Sequence, residues 1–208
     1  MLFGVNVMDM DSEYLWSIGA SFGPSIILDG EVWRLFSAMF LHGGVEHVLM
    51  NMLSLFLVGR SVEMIFSKAS YLSIYFISGL IGSLTSIYFH PITVGIGASG
   101  AIFGIFGAVV GFALVHRHRM QSEFRSFIKS VGIILILNLG IGLAFPNVDM
   151  SAHIGGMIVG IIGGAVVAKY PRGLLLYIFM ASIVIALMYS YLVSYIPAQL
   201  PSLNGALY

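Results

Sequence analysis

Gly95-Ile96-Gly97-Ala98-Ser99-Gly100-Ala101-Ile102-Phe103-Gly104 sets one serine among glycines at the point where a long apolar run begins. That run carries Gly100, Gly104, Gly107, Ala108 and Gly111. Small residues about four apart share one helical face and form a strip on which a second helix packs backbone to backbone. Further on, Ala152-His153-Ile154-Gly155-Gly156 opens another such run, with Gly160 and Gly164 continuing the strip and Gly163 alongside. If the two strips meet, Ser99, one residue before Gly100, and His153, three before Gly156, lie at similar depth. A serine and a histidine would then face each other at the mouths of two glycine-seamed helices.

The surrounding composition says where those helices sit. The chain has 208 residues, of which 59% are hydrophobic and 9% charged, and its mean hydropathy is +1.00. A water-soluble domain of this length cannot hide so much apolar surface, so the fold class read from composition is an all-α polytopic transmembrane bundle. Apolar stretches at 46–66, 71–89, 97–115, 127–145, 151–168 and 173–195 predict about six spans. Most approach the ~20 residues a helix needs to cross the hydrocarbon. Lipid offers the backbone no hydrogen-bond partners, which favours helices. The polar–apolar alternation of a transmembrane barrel is missing.

Charge gives a direction. If the spans alternate, Arg60, Lys68, Arg117, Arg119, Arg125, Lys129, Lys169 and Arg172 share one face, with Arg34 as the exception. Asp9, Asp11, Glu13, Asp29, Glu31, Glu46 and Asp149 share the other. The positive-inside rule makes the basic face cytoplasmic and puts Ser99, His153 and both termini outside. The absence of cysteine excludes disulfides and leaves the redox compartment open. The amino terminus has no basic n-region, so no cleavable signal peptide is expected.

Organisation along the chain is simple: one domain in three parts. Residues 1–45 form an amino-terminal segment in which Met1 to Met8 is apolar but too short to span and Asp9 to Glu13 is acidic. Trp33 to Leu41 is apolar but interrupted by Arg34 and Ser37, which predicts a half-embedded interfacial loop with Trp33 and Arg34 as headgroup anchors. Residues 46–168 form the membrane core, and 169–208 a further span and tail. The connection His116 to Ser126 carries His-Arg-His-Arg, read as a membrane-surface anchor rather than a metal or nucleic-acid site. Pro91, Pro146 and Pro171 fall between spans, where a helix stop costs nothing.

A lone membrane serine usually bonds its own helix, and a lone histidine is usually a satisfied packing residue. Together, on one face and between glycine seams, they suggest a histidine acting as general base to a serine nucleophile. His47 and Asn51, four apart, share a helical face near the outer end of the first span. An amide and an imidazole inside a membrane are costly unless paired or facing a wet cavity. A side-chain amide is also a known donor to the oxyanion of acyl transfer. The plainer alternative is that Asn51 ties two helices together. Asp149, four residues before His153, is expected to cap its helix or face solvent, so a Ser–His dyad is favoured over a triad. The HExxH pattern is absent, and no metal or cofactor is expected.

These residues, taken together, resemble the rhomboid intramembrane serine proteases. Trp33-Arg34, His47-xxx-Asn51, Gly97-Ala98-Ser99-Gly100 and Ala152-His153-Ile154-Gly155-Gly156 occur in that family's order and approximate spacing, over about residues 30 to 168. The resemblance implies Ser99 as nucleophile and His153 as its base, with Asn51, His47 and the Ser99 amide on the oxyanion side. It implies supporting places for Gly97, Gly100 and Gly156, and puts Phe103 where many relatives stack a tyrosine on the histidine. Glu63 resembles a family glutamate at the cytoplasmic end of its second helix. The implied substrates are single-pass membrane proteins cut near the outer face of a prokaryotic plasma membrane, with no nucleic acid, no cofactor and no defined oligomeric state. Only Met1 to Met8 stands where the family's first helix would be, so that helix is expected to be missing or shortened. The alternatives are a silent, client-binding relative, which the intact Ser, His and Asn disfavour, and a small transporter with His47, Asn51 and His153 along its path.

Overall fold

The computed structural model describes residues 9–119, 121–144, 148–170 and 172–203. Residues 1–8, Pro146, Pro171 and Tyr208, about which the sequence raises expectations, lie outside them. The amino-terminal part folds into three short helices, α1 (Ser12–Ser17), α2 (Gly23–Ile27) and α3 (Arg34–Ser37), the last passing into a 3-10 turn at Ala38–Phe40. Six long helices follow: α4 (Val45–Val62), α5 (Lys68–Phe89), α6 (Ser99–His116), α7 (Ser122–Ala144), α8 (Met150–Lys169) and α9 (Gly173–Leu203). Each predicted apolar stretch therefore contains a long helix.

The all-helical membrane bundle is as expected. Among the described residues, α5, α6, α8 and α9 as far as Gln199 are long and apolar enough to cross a membrane. A fifth arises if Arg34–Phe40 and Val45–Arg60, which turn through 91° at their junction, are taken as one broken span. α7 occupies the remaining stretch with 23 residues. α9 also runs past its expected end at residue 195, through Pro197 and Pro201, to Leu203. Each proline removes one backbone donor there, but a membrane helix tolerates such a loss where neighbouring groups make it good.

α6 is the centre of the molecule, buried on nearly every side, and packs most extensively against α8, with α5 covering both. The two glycine strips do meet. A Cβ at Gly156 would strike the carbonyl of Gly100, one at Gly160 that of Gly104, and one at Gly164 that of Ala108. These pairs advance together along both chains, so α6 and α8 run parallel with their backbones in contact. α9 closes the outside against α5 and α8, and α4 leans on α6. α4 is also tied to α7 by the Ser54 hydroxyl, which donates to Asn138 Oδ1 at 2.9 Å.

The amino-terminal loop corrects one expectation. Arg34 is not a headgroup anchor: it is 5% exposed. Its Nε pairs with Glu31 at 2.5 Å, and its Nη1 donates to the carbonyls of Trp16 at 2.6 Å and Ala20 at 3.1 Å. The guanidinium also lies 5.5 Å from the Trp16 ring centre and 4.8 Å from that of Trp33. A planar cation with several fixed donors is better satisfied by two carbonyls, a carboxylate and two indole rings than by a headgroup region. Trp33 itself remains half exposed.

Candidate active site

The segment leading to Ser99 is held by backbone rather than side chains. Ser21 and Gly95 exchange N–H to carbonyl bonds at 2.9 and 2.8 Å, Gly23 N donates to Pro91 O at 3.1 Å, and Gly97 N donates to Ala38 O at 2.9 Å. Gly97 has φ +104°, in the left-handed region that side chains avoid. A Cβ there would come within 2.8 Å of His47 Nε2 and 3.6 Å of Asn51 Nδ2. The glycine thus makes the turn and lets the α4 polar pair approach the serine loop.

Beyond this turn α6 starts at Ser99, and its N-cap residue Ala98 supplies no side-chain hydrogen bond. The first amides of the helix point outward without a capping acceptor and carry the positive end of its dipole. α8, by contrast, is capped by Asp149, whose carboxylate accepts from Ser151 N at 3.0 Å, Ala152 N at 3.1 Å and the Ser151 hydroxyl. Burial pushes the Asp149 carboxyl upward, yet the hydrogen bonds from Ser151, Ser86 and Ala152, with His90 nearby, outweigh it and hold it below its ordinary value. The aspartate is therefore engaged as a cap and is not directed at His153.

Across the seam, Ser99 Oγ and His153 Nε2 are 2.7 Å apart. His153 is 4% exposed, while Ser99 is only partly buried. For Nε2 to accept the serine proton, the ring carries its own proton on Nδ1, which is buried and meets no acceptor among the described residues. The Phe103 ring stacks on the imidazole, centroids 4.2 Å apart and planes 11° from parallel. Such a face-to-face contact fixes the ring's plane without a hydrogen bond.

The α4 pair completes the cluster. Asn51 is 6% exposed, and its Nδ2 is buried with no partner among the described residues. His47 Nδ1 accepts from Gly43 N at 3.3 Å, which places the ring proton on Nε2, the atom facing Gly97. Residue types and spacing do not point to His42, whose ring meets His47 edge-on at 5.0 Å and whose Nε2 is also buried without a partner. Nor do they point to the Ala38 carbonyl that holds Gly97. The structure thus brings together Ser99, His153, Phe103, Gly97, His47 and Asn51, with Gly100 and Gly156 as the close-contact floor. Trp33 and Arg34 stand apart and organise the loop in front. Glu63 lies at the other end of α4, beside a groove shared with Gly59, Arg60 and Tyr71.

A seam-packed bundle of apolar helices with a serine and a histidine bonded at one end defines a polytopic membrane protein built around a hydrolase-like pair. Comparison with known proteins agrees with that class. The family model described as Rhomboid domain matches residues 29–170. Rhomboid protease GluP of Bacillus subtilis (strain 168) is 38% identical over 176 residues, covering 83% of this chain and 33% of that protein. RHOMBOID-like protein 1 of Arabidopsis thaliana is 39% identical over 158 residues, 76% of this chain and 40% of that protein. Putative rhomboid protease YdcA of Bacillus subtilis (strain 168) is 34% identical over 139 residues, 65% of this chain and 67% of that protein. The chain belongs to the rhomboid family. It spans only about a third to two fifths of the length of the first two of these relatives.

Proposed function

We propose that this chain is an intramembrane serine endopeptidase working through a Ser99–His153 dyad. The observation that carries the reading is the 2.7 Å contact between Ser99 Oγ and His153 Nε2. In the proposed reaction Ser99 Oγ attacks the scissile carbonyl carbon as its proton passes to Nε2. The carbonyl π electrons move to oxygen, and the resulting oxyanion is met by the Ser99 N–H, the Asn51 amide and the His47 Nε2–H. The imidazolium then protonates the leaving amine as the C–N bond breaks. Water, deprotonated by the same histidine, hydrolyses the acyl-enzyme. An otherwise unpaired Asn51 donor suits this role, because its hydrogen bond would be made only when charge develops.

The proposed substrates are single-pass membrane proteins, cut near the outer face of a prokaryotic plasma membrane, with residues 46–168 as the catalytic core. A helical peptide bond is shielded by its own hydrogen bond, so the segment to be cut must unwind first. Fluorophosphonate labelling in liposomes tests the dyad. Wild type is expected to label, and Ser99→Ala and His153→Ala are not. Absence of labelling in a folded wild-type chain would sink the protease reading in favour of client binding without cleavage.

A further inference from the structure

At the opposite end of α6, about 27 Å from Ser99 at 1.5 Å per residue, α6 and α7 part to form a groove of about 340 Å³. Val110, Ala113, Leu114 and Ile128 line it, with Arg117 and Arg125. Residues 110, 113, 114 and 117 share one face of α6, and 125 and 128 share one face of α7. Each helix thus offers apolar residues nearer the membrane middle and one guanidinium nearer the connection between them. Both arginines are exposed, and Arg117 Nε donates to His118 Nε2 at 3.0 Å. Leu114 is exposed beside this groove, so its apolar part opens toward lipid.

We propose that this groove binds an acidic membrane phospholipid, with its phosphate between Arg117 and Arg125 and the first part of an acyl chain along Val110, Ala113, Leu114 and Ile128. Charge complementarity selects the headgroup, since planar guanidiniums with several donors bind phosphate oxygens in pairs. The order of apolar and cationic residues selects an amphiphile over a free anion, and basic pockets between membrane helices are a known setting for acidic headgroups. The inference does not depend on the protease reading, because the groove shares no residue with the Ser99 site.

Native mass spectrometry of the whole protein in neutral detergent tests it, using equal amounts of dioleoyl phosphatidylglycerol and dioleoyl phosphatidylcholine. Wild type is expected to retain the acidic lipid at least tenfold over the neutral one. Arg117→Gln with Arg125→Gln should abolish this preference, and Arg119→Gln with Lys129→Gln, an equal change of charge, should keep it. No preference in wild type, or equal loss in both double variants, would overturn the site. Ala113→Phe fills the apolar floor with every charge intact and should also lose the lipid at least tenfold. Retention by that variant, or displacement of the lipid by glycerol phosphate, would mean a headgroup-only anion site and overturn the proposal.

Discussion

Asn51 is the residue on which the proposed chemistry makes its sharpest demand. A buried amide donor without a partner costs about 1–3 kcal/mol in a folded protein. Asn51→Ala is therefore expected to leave thermal stability unchanged or slightly raised, while lowering the rate of fluorophosphonate labelling by about 10²–10³, as for loss of one oxyanion donor. A fall in stability with little change in rate would assign Asn51 to packing. Asp149 makes the opposite demand, since it acts on stability. Its folded carboxyl is held below the ordinary 3.8, so its stabilising effect is fully present above that value and is lost as pH falls through the lower folded value. Asp149→Ala should lower stability by about 1 kcal/mol near neutrality, as for loss of a helix cap. Melting curves should show that gap constant down to about pH 5 and narrowing below about pH 4. A gap independent of pH would remove the carboxylate from the account.

Among the elements, the α6–α8 seam does what no single side chain can: it brings two residues 54 apart in sequence into hydrogen-bonding contact. A Cβ at Gly160 would strike the Gly104 backbone, which cannot yield as a side chain would. Gly160→Val should push the helices apart and abolish Ser99 labelling in a chain that still inserts. Gly132→Ala on α7, where an added Cβ meets nothing within 4 Å, should label normally. Equal labelling of both would show that the seam does not set the site. The seam was legible in the sequence because its signal is local, a small residue every four. So were the long apolar helices and the shared face of His47 and Asn51. The burial of Arg34 was not legible: its two carbonyl partners, on Trp16 and Ala20, are backbone atoms whose position no residue type announces. The unmatched buried nitrogens of Asn51 and His42 were hidden for the same reason, since an unmet hydrogen bond is a property of the packed surroundings and not of spacing.

For the whole molecule, we propose an orientation from charge. Apart from Arg34, basic residues gather at one end of the bundle and the Ser99–His153 pair lies at the other, so in the proposed topology the positive-inside rule points the pair outward. The chain contains no cysteine, which lets single reporters be read cleanly. Ser12→Cys should react with a membrane-impermeant maleimide on intact cells, and Arg119→Cys only after permeabilisation. The reverse pattern would invert the proposed topology.

The fastening of the amino-terminal loop to residues 91–97 has a consequence for how such a protein can change over time. Its contacts, Ser21 with Gly95, Gly23 with Pro91 and Ala38 with Gly97, all run between main-chain atoms. Main-chain bonds are indifferent to side-chain identity, so most substitutions along either strip leave them in place, except at Gly23 and Gly97, where an added Cβ would strike Pro91 or His47. Their weakness is register: one inserted or deleted residue between Ser21 and Gly23, or between Pro91 and Gly95, puts the Ser21–Gly95 and Gly23–Pro91 pairings out of step with each other. Evolutionary drift in letters is therefore cheap here, and drift in length is not.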